Sequence, residues 1–401
     1  MRYTKPMPVK AAKFEKAAKA EVLTGIDVLE RGGFSFLSGC RVGLVTNHTG
    51  LTCEGKPTID VLHQAPGVTL TALFGPEHGM RGDHDESVAD GTDAGTALPV
   101  YSLFGARTVP TPEQMAGLDT LVFDIQDIGC RFYTYLSTLG NILDAASTHN
   151  LRVVVLDRPN PLTGTHTEGP MTDPDKLSFV ACHPIPIRHG LTLGEMARLI
   201  HAEKKLSCTL EIVACEHWCR DDWYDATGLL WANPSPNMRR LSAAALYPGV
   251  GLLEFTNVSV GRGTDTPFEI FGAPYIAPRS FAAALNEENL PGVRFIPTAF
   301  TPSSSVFAGE VCGGVQTLVT DREALNAVQV GLTLATTLRR LSPEQWQPEK
   351  LATLLCHSHT LTRLREGDSA SIIAAGWQED LSAWTERSQP HLLYGTRSGS
   401  H

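Results

Sequence analysis

Four short apolar runs in the first half of the chain place the strongest constraint on its fold. They occupy residues 41–45, 70–74, 121–123 and 153–156 and consist mainly of Val, Leu and Phe. The runs are continuous rather than alternating with polar residues, as in strands that are covered on both faces. They therefore predict strands of a parallel sheet with helices on both sides.

Helical patterns lie between these strands and after them. Residues 58–64 and 132–147 predict helices, the second with apolar positions at helical spacing. Capping-box spacings predict further helix starts at Thr111 and at Thr192, the latter ahead of a helix over 196–206. Because strand and helix alternate, the sequence predicts an α/β fold with a parallel sheet and right-handed crossovers.

The second half of the chain has a different composition. Gly, Pro and Asn become frequent after Trp223, and helical patterns follow, the clearest over 320–341 with Thr320 and Glu323 at capping-box spacing. A chain of 401 residues with 42% apolar content is long enough for two cores. We therefore predict a parallel-sheet domain at 20–240, a smaller α+β domain at 241–395, and a cleft between them.

Polar loops follow all four predicted strands, at residues 46–50, 75–79, 124–129 and 157–161. The carboxyl ends of parallel strands share one edge of a sheet, where ligands bind. Turn formation explains the Gly, Pro and Asn of these loops, but it does not explain Glu77, Asp124, Asp127 and Arg131. The loops are therefore predicted to converge on one polar site.

Charge and composition exclude several classes of partner. The formal net charge of -10 argues against general binding to nucleic acid or to an anionic membrane, since both require a basic face. The chain has no apolar run of membrane-spanning length. Residues 1–20 are basic without an apolar segment behind them, so no export signal is predicted in this chain.

No cofactor or metal is expected from the motifs. Nine cysteines scattered along the chain indicate free thiols rather than a disulfide framework. The segment 215–219, CEHWC, lacks a second cysteine pair at zinc spacing. The Gly261-Arg262-Gly263 segment lacks the third glycine and the strand–helix context of a dinucleotide site.

Six ordered motifs, from about Gly39 to Tyr275, carry a resemblance to a known family. Together they resemble the exo-β-N-acetylmuramidases, formerly catalogued as a domain of unknown function. The resemblance implies an active site between a Rossmann-like domain and a smaller domain. It also implies release of terminal N-acetylmuramic acid from the non-reducing end of peptidoglycan fragments, in the periplasm or outside the cell. The motifs are TNHTG, GPEHGMRGD, DIQDIGCRFYTY, DRPNPLTG, WANPSPN and EFTNVSVGRGTDTPFEIFGAPY.

Glycoside hydrolysis commonly uses two carboxyl groups. In the family the glutamate of the GPEHG motif is the favoured catalytic residue, which makes Glu77 the predicted general acid. For the second carboxylate we favour Asp127, because it lies further from its strand end than Asp124, which we expect to hold the loop through backbone N–H groups. Asp83 and Glu168 remain alternatives.

His78 is predicted at the site as well, either tuning Glu77 or bonding a sugar hydroxyl, with a structural role equally open.

Substrate contacts can be predicted from the chemistry of the sugar. N-acetylmuramic acid carries a lactyl carboxylate, which an arginine can hold in a bidentate manner. Arg131 is the first choice, with Arg81 and Arg262 as alternatives. Two tyrosines of the third motif could stack on the sugar, although one of them is expected in the core; two asparagines in strand-end loops suit either hydroxyl recognition or turn formation. These four residues are Tyr133, Tyr135, Asn47 and Asn160.

Two other functions remain open on the sequence. A metal-dependent amide or ester hydrolase of the cell wall could use His78, Asp83, His84 and Asp85 as ligands. A muropeptide-binding protein without catalytic activity would keep Arg131 and the aromatic residues but would not need Glu77. Anomeric outcome and oligomeric state cannot be predicted.

Overall fold

The computed structural model describes residues 22–77, 80 and 90–397. In this part of the chain the larger sheet has seven strands in the order β3-β4-β2-β1-β5-β6-β7. All neighbouring pairs are parallel except β3 and β4. The strands are β1 (Arg41–Thr46), β2 (Thr69–Gly75), β3 (Gly91–Thr92), β4 (Pro99–Ser102), β5 (Thr120–Asp124), β6 (Arg152–Leu156) and β7 (Leu210–Val213).

Five helices accompany this sheet in the described residues. They are α1 (Gly25–Arg31), α2 (Thr58–His63), α3 (Pro112–Met115), α4 (Tyr135–His149) and α5 (Leu193–Lys204). The capping boxes predicted at Thr111 and Thr192 both form, with Gln114 and Glu195 as their partners. The helix predicted over 132–147 begins three residues later than expected, because residues 125–134 make a buried loop before it.

Apolar residues cover both faces of the sheet, as the continuous runs predicted. Leu44, Val122 and Val154 belong to the core cluster that includes α1. Phe123 and Val155 belong to the larger cluster, which includes α4 and α5. The predicted Rossmann-like sheet is confirmed.

The direction of the crossovers changes at the centre of the sheet. From β1 the chain moves to β2 on one side, whereas β5, on the other side of β1, leads to β6. In open α/β sheets a ligand crevice forms outside the carboxyl ends of the strands at such a point. The segments that follow β1, β2 and β5 meet here.

The second domain is built on a smaller sheet. Its three described strands are antiparallel in the order β8-β10-β9, with β8 (Ile270–Ala273), β9 (Val293–Phe300) and β10 (Cys312–Val319). Its helices are α6 (Leu241–Val250), α7 (Pro278–Glu287), α8 (Ala327–Leu341), α9 (Ala352–Leu355), α10 (Ser358–Glu366), α11 (Ala370–Ala375) and α12 (Gln378–Ser388). The two-domain α/β architecture is as predicted.

The helix predicted from Thr320 is wrong at its start. Helix α8 begins at Ala327, where Asn326 caps it by accepting a hydrogen bond from the Gln329 amide at 2.8 Å. The preceding residues form a turn in which Asp321 accepts from the Glu323 amide at 3.0 Å. Local side-chain bonds of this kind compete with helix formation.

None of the described helices is long and apolar enough to cross a membrane. Within the same residues no disulfide joins the cysteines.

Candidate active site

An open cavity with about 840 Å³ of empty space lies where the two domains meet. Its described lining comes from the turn after β2, the start of α4, the segment before α6, and the second domain. The lining residues are Glu77, Phe132, Tyr133, Thr134, Val180, Ser235, Met238, Tyr247, Glu254, Phe255, Arg262, Phe268 and Leu354. Its mixed polar and aromatic lining is typical of a small-molecule site.

Glu77 projects into this cavity from the turn directly after β2. Its side chain is half-buried, and its Oε2 accepts a hydrogen bond from the hydroxyl of Thr134. Thr134 is the N-cap residue of α4, yet its side chain makes no capping bond to that helix. Because the hydroxyl bonds Glu77 instead, the carboxyl group is held in one orientation at the wall of the cavity.

A second carboxyl group lines the same cavity from the other domain. Glu254 follows the 3₁₀ turn Gly251–Leu253, and its Oε1 lies 2.7 Å from Nε of Arg262. The Glu254 side chain is 17% exposed and that of Arg262 is 30% exposed. An ion pair with this degree of burial is screened less than a surface pair. Both charged groups therefore face the space into which Glu77 projects.

Aromatic rings form a continuous wall of the cavity around Tyr247. The Tyr247 ring lies 5.1 Å from Phe132, 6.0 Å from Tyr133 and 4.6 Å from Phe268, in tilted or edge contacts. The side chain of Phe255 is 48% exposed at the same cavity. Such surfaces provide apolar faces against which a sugar ring can pack.

Of the residues predicted for the site, the structure brings Glu77, Tyr133 and Arg262 together at this cavity. His78 and Arg81 lie outside the described residues, as do the proposed metal ligands Asp83, His84 and Asp85.

Arg131 is not part of the described lining of the cavity and lies in the interior between the domains. It is fully buried, and its guanidinium donates to the carbonyl oxygens of Pro170, Ile185, Leu354 and Leu355 at 2.7–3.0 Å. Burial lowers the pKa of Arg131 to about 10. Four carbonyl acceptors occupy the donors that a ligand carboxylate would use, so the geometry here favours a structural role.

Asp124 is also committed to the interior. It is fully buried and accepts two hydrogen bonds from Arg158, at 2.5 and 3.0 Å, and one from Thr58 at 2.5 Å. It therefore holds the loops after β1, β5 and β6 together through side chains, rather than through the backbone N–H groups that the sequence led us to expect.

Asp127 and His189 form a buried pair. Asp127 Oδ2 accepts from the Gly129 amide at 2.7 Å and lies 4.0 Å from His189 Nε2. Asp127 Oδ1 and His189 Nε2 have no hydrogen-bond partner among the described residues. Burial raises the pKa of Asp127 to about 7. Burial first, and then the charges of Arg131 and Arg188, lower the pKa of His189 to about 3.

The arrangement makes both members of the pair neutral under mildly acidic conditions. His189 Nδ1 accepts from the Leu191 amide at 3.2 Å, which places the ring proton on Nε2, toward Asp127. Asp127 is absent from the described lining of the cavity.

Glu168 joins the two domains. It is 4% exposed, its Oε1 lies 2.5 Å from Nη1 of Arg188, and its Oε2 accepts from the Val328 amide in the first turn of α8 at 3.1 Å. The carboxylate is thus paired with charge on one side and with a helix N-terminus on the other. This geometry makes Glu168 a bridge of the domain interface.

The remaining predicted residues support loops. Asn47 accepts from the Thr49 amide at 2.9 Å and donates to the Tyr135 hydroxyl at 2.9 Å. Tyr135 in turn donates to the Pro234 carbonyl at 2.6 Å, beside the cavity-lining Ser235. Asn160 accepts from the Leu162 amide and donates to the Leu191 carbonyl. All three residues are buried, so they position the segments around the cavity.

Sequence reasoning missed Thr134, Tyr247 and Glu254. Thr134 and Glu254 stand inside motifs already quoted, and the pairing of Glu254 with Arg262, eight positions on, is the one local signal that could have pointed to it. Tyr247 lies in an apolar helix without a distinguishing pattern.

Comparison with known proteins agrees with this architecture. The family model described as exo-beta-N-acetylmuramidase NamZ, N-terminal, matches residues 42–242, and its C-terminal counterpart matches residues 245–394. The chain is 41% identical over 390 residues to peptidoglycan beta-N-acetylmuramidase NamZ of Bacillus subtilis (strain 168), covering 96% of this chain and 94% of the relative.

Two crystal structures of DUF1343 family proteins from Bacteroides fragilis NCTC 9343 are similar along almost the whole chain. One has a TM-score of 0.88 at 37% identity, covering 93% of this chain and 99% of its own. The other has a TM-score of 0.76 at 28% identity, covering 94% of this chain and 100% of its own. With both family models matched in order and a relative of this identity along almost its whole length, the chain belongs to the exo-β-N-acetylmuramidase family of glycoside hydrolases.

Proposed function

We propose that this protein is an exo-acting glycoside hydrolase that releases terminal N-acetylmuramic acid from the non-reducing end of peptidoglycan fragments, with Glu77 as the general acid. The observation that carries the assignment of Glu77 is its place in the cavity between the domains, where Thr134 orients its carboxyl group. General acid catalysis requires such a group within hydrogen-bond reach of the leaving oxygen.

Substrate class follows from family membership and from the charge of the cavity. The Bacillus subtilis relative is named for peptidoglycan β-N-acetylmuramidase activity. N-acetylmuramic acid differs from N-acetylglucosamine by a lactyl ether that ends in a carboxylate. Arg262 is the cationic side chain among the described residues of the lining. The planar guanidinium of an arginine can hold a carboxylate in a bidentate manner.

Arg262 therefore replaces Arg131 as our candidate for the lactyl carboxylate. Tyr133 and the rings around Tyr247 would pack against the sugar.

The direct test compares two chromogenic substrates, a β-N-acetylmuramide and the matching β-N-acetylglucosaminide. We expect the full-length protein to release chromophore from the muramide at a much higher kcat/KM. Equal rates on both would refute recognition of the lactyl carboxylate, and release from neither would refute the hydrolase. Fragments that carry an internal but no terminal muramic acid residue should remain uncut.

A chelator control separates this function from a metal-dependent hydrolase. Hydrolysis by two carboxyl groups should proceed at the same rate after treatment with EDTA. Loss of activity that returns on addition of a divalent ion would instead support the metal-dependent reading.

We also propose the periplasm or the cell exterior as the compartment, because that is where peptidoglycan fragments arise. Immunodetection in fractionated cells of the source bacterium tests this, and recovery of the protein solely with cytoplasmic markers would contradict it.

A further inference from the structure

We propose that Glu254 is the second carboxyl group of the reaction, the ionised one, and that it accepts the proton of the attacking water while Glu77 protonates the leaving oxygen. This inference rests on the proposed hydrolase function and adds a catalytic residue from the second domain. The sequence placed the second carboxylate at Asp127.

The position of Glu254 is the first support. Glu77 and Glu254 are the two acidic side chains in the described lining of the cavity. They come from different domains, since Glu77 follows β2 of the Rossmann-like sheet and Glu254 follows α6. Two carboxyl groups from separate walls of one cavity can flank a bound sugar, as they commonly do in glycoside hydrolases.

The pairing of Glu254 is the second support. Arg262 Nε lies 2.7 Å from Glu254 Oε1, and an opposite charge at this distance favours the ionised carboxylate. Glu77, in contrast, accepts its described side-chain hydrogen bond from the neutral hydroxyl of Thr134. The two carboxyl groups thus have different partners, a neutral hydroxyl and a guanidinium.

Tyr247 lines the same cavity as both carboxyl groups. Its ring lines the cavity and packs between Phe132 and Phe268. Burial raises the pKa of Tyr247 well above its ordinary value, and the negative charges of Glu254 and, more weakly, of Glu77 act in the same direction. The phenol therefore lies within electrostatic reach of both groups.

The other acidic residues considered for this role have different partners. Asp124 pairs with Arg158, and Glu168 pairs with Arg188 and the first turn of α8. Asp127 accepts a hydrogen bond from the Gly129 amide. None of these three residues belongs to the described lining of the cavity.

The chemical step balances as follows. The bond between C1 and the glycosidic oxygen breaks, its electron pair stays on that oxygen, and the oxygen takes the proton of Glu77. A water oxygen forms a bond to C1 from the opposite face and gives its proton to Glu254. Exchange with solvent then returns the proton to Glu77 and removes it from Glu254. Direct attack by water inverts the anomeric centre of a β-glycoside.

The test uses the full-length protein and the chromogenic β-N-acetylmuramide. For Glu254→Gln we expect kcat to fall at least about a hundredfold, as loss of general acid–base catalysis typically does, while KM changes by less than about threefold. Glu287→Gln, an exposed substitution of the same type at the end of α7, is the matched control and should have no effect. A near-normal kcat in Glu254→Gln overturns the assignment, and so does a change confined to KM.

Rescue by a small anion separates catalysis from folding. In Glu254→Ala, sodium azide should restore chromophore release and yield the α-glycosyl azide, since azide occupies the space of the missing carboxylate and attacks C1 itself. A misfolded variant would not respond to azide. An inactive Glu254→Ala protein that still binds N-acetylmuramic acid by calorimetry but shows no azide product overturns the proposal.

The stereochemistry of the first-formed product gives an independent readout. Proton NMR during early turnover should show the α anomer, and accumulation of the β anomer overturns water activation by Glu254. An inactive wild-type protein would refute the proposed function itself, whereas an active wild type with an active Glu254→Gln variant refutes only this inference.

Discussion

Thr134 donates its side-chain hydrogen bond to Oε2 of Glu77 rather than to the amides of the helix that it caps. A threonine at an N-cap usually stabilises its own helix. Here the hydroxyl connects the start of α4 to the turn after β2 and fixes one oxygen of the predicted general acid.

Replacing Glu77 tests the centre of the mechanism. We expect Glu77→Gln to lower kcat at least about a hundredfold, because the amide cannot donate a proton to the leaving oxygen. Binding of N-acetylmuramic acid, measured by calorimetry, should change little. Glu287→Gln serves as the matched control. A Glu77→Gln protein with a near-normal rate would remove Glu77 from the mechanism, and binding by an inactive wild type would support the non-catalytic reading.

Thr134→Val removes the hydroxyl that orients Glu77 while keeping the shape of the side chain. We expect kcat to fall about tenfold, with KM nearly constant, because a typical hydrogen bond contributes about 1 kcal/mol and roughly 1.4 kcal/mol corresponds to a factor of ten. Thr134→Ser keeps the hydroxyl and should retain most of the activity. Equal rates for the valine and serine variants would show that the hydrogen bond has no role in turnover.

Arg262 should control discrimination between the two sugars. We expect Arg262→Gln to lower kcat/KM for the muramide by about ten- to a hundredfold more than for the glucosaminide, because a charge-assisted bond to the lactyl carboxylate is lost only with the first. Arg262 also contacts Glu254, and a change in Glu254 would affect both substrates alike. The ratio of the two kcat/KM values is therefore insensitive to that effect. Arg340→Gln, on the exposed side of α8, is the control. An unchanged ratio would place the lactyl carboxylate elsewhere.

Glu168 should matter for stability more than for chemistry. Glu168→Gln leaves Arg188, which is 2% exposed, without its charged partner, and breaking a buried ion pair in this way costs roughly 3 kcal/mol or more. Urea unfolding of the variant and of Glu287→Gln measures the difference. Adding Arg188→Met should recover part of the lost free energy of unfolding, because the uncompensated charge of Arg188 is then removed. A double variant that is no more stable than Glu168→Gln would contradict this account.

The strands were predictable from the sequence because burial on both faces leaves a continuous apolar pattern, and the strand-end loops followed from the direction of a parallel sheet. Glu77 could be found in this way since its turn directly follows a strand. The helix start at Asn326 could not, because Thr320 and Glu323 imitate a capping box while Asp321 closes a turn there. The capping-box spacing at Thr320 and Glu323 is the same as at Thr111 and Thr192, where the capping boxes do form.

The partners of buried charges were harder to predict. Arg131 and Glu168 stand in loops that the fold brings to the domain interface, where each has a partner in the second domain more than a hundred residues away in sequence. Nothing local distinguishes an arginine that meets four carbonyl groups from one that meets a ligand. Glu254 was missed because its place in the cavity depends on how the second domain covers the first, which local sequence does not show.

Asp127 and His189 should give the stability of this protein two opposing responses to pH. The folded pKa of Asp127, about 7, is raised above its ordinary 3.8, so between these values the unfolded chain has lost a proton that the folded chain keeps, and stability falls as pH rises. The folded pKa of His189, about 3, is lowered from 6.5, so across that interval the unfolded chain binds a proton that the folded chain does not, and stability rises with pH. Between roughly pH 4 and pH 6.5 the two slopes oppose each other, each with a limit of about 1.4 kcal/mol per pH unit.

Replacing either residue should separate the two responses. Asp127→Asn should gain stability relative to wild type as pH rises through this interval, and His189→Asn should lose stability relative to wild type. Urea unfolding from pH 4 to pH 8 measures both curves; parallel curves for wild type and Asp127→Asn would show that Asp127 stays ionised in the folded protein.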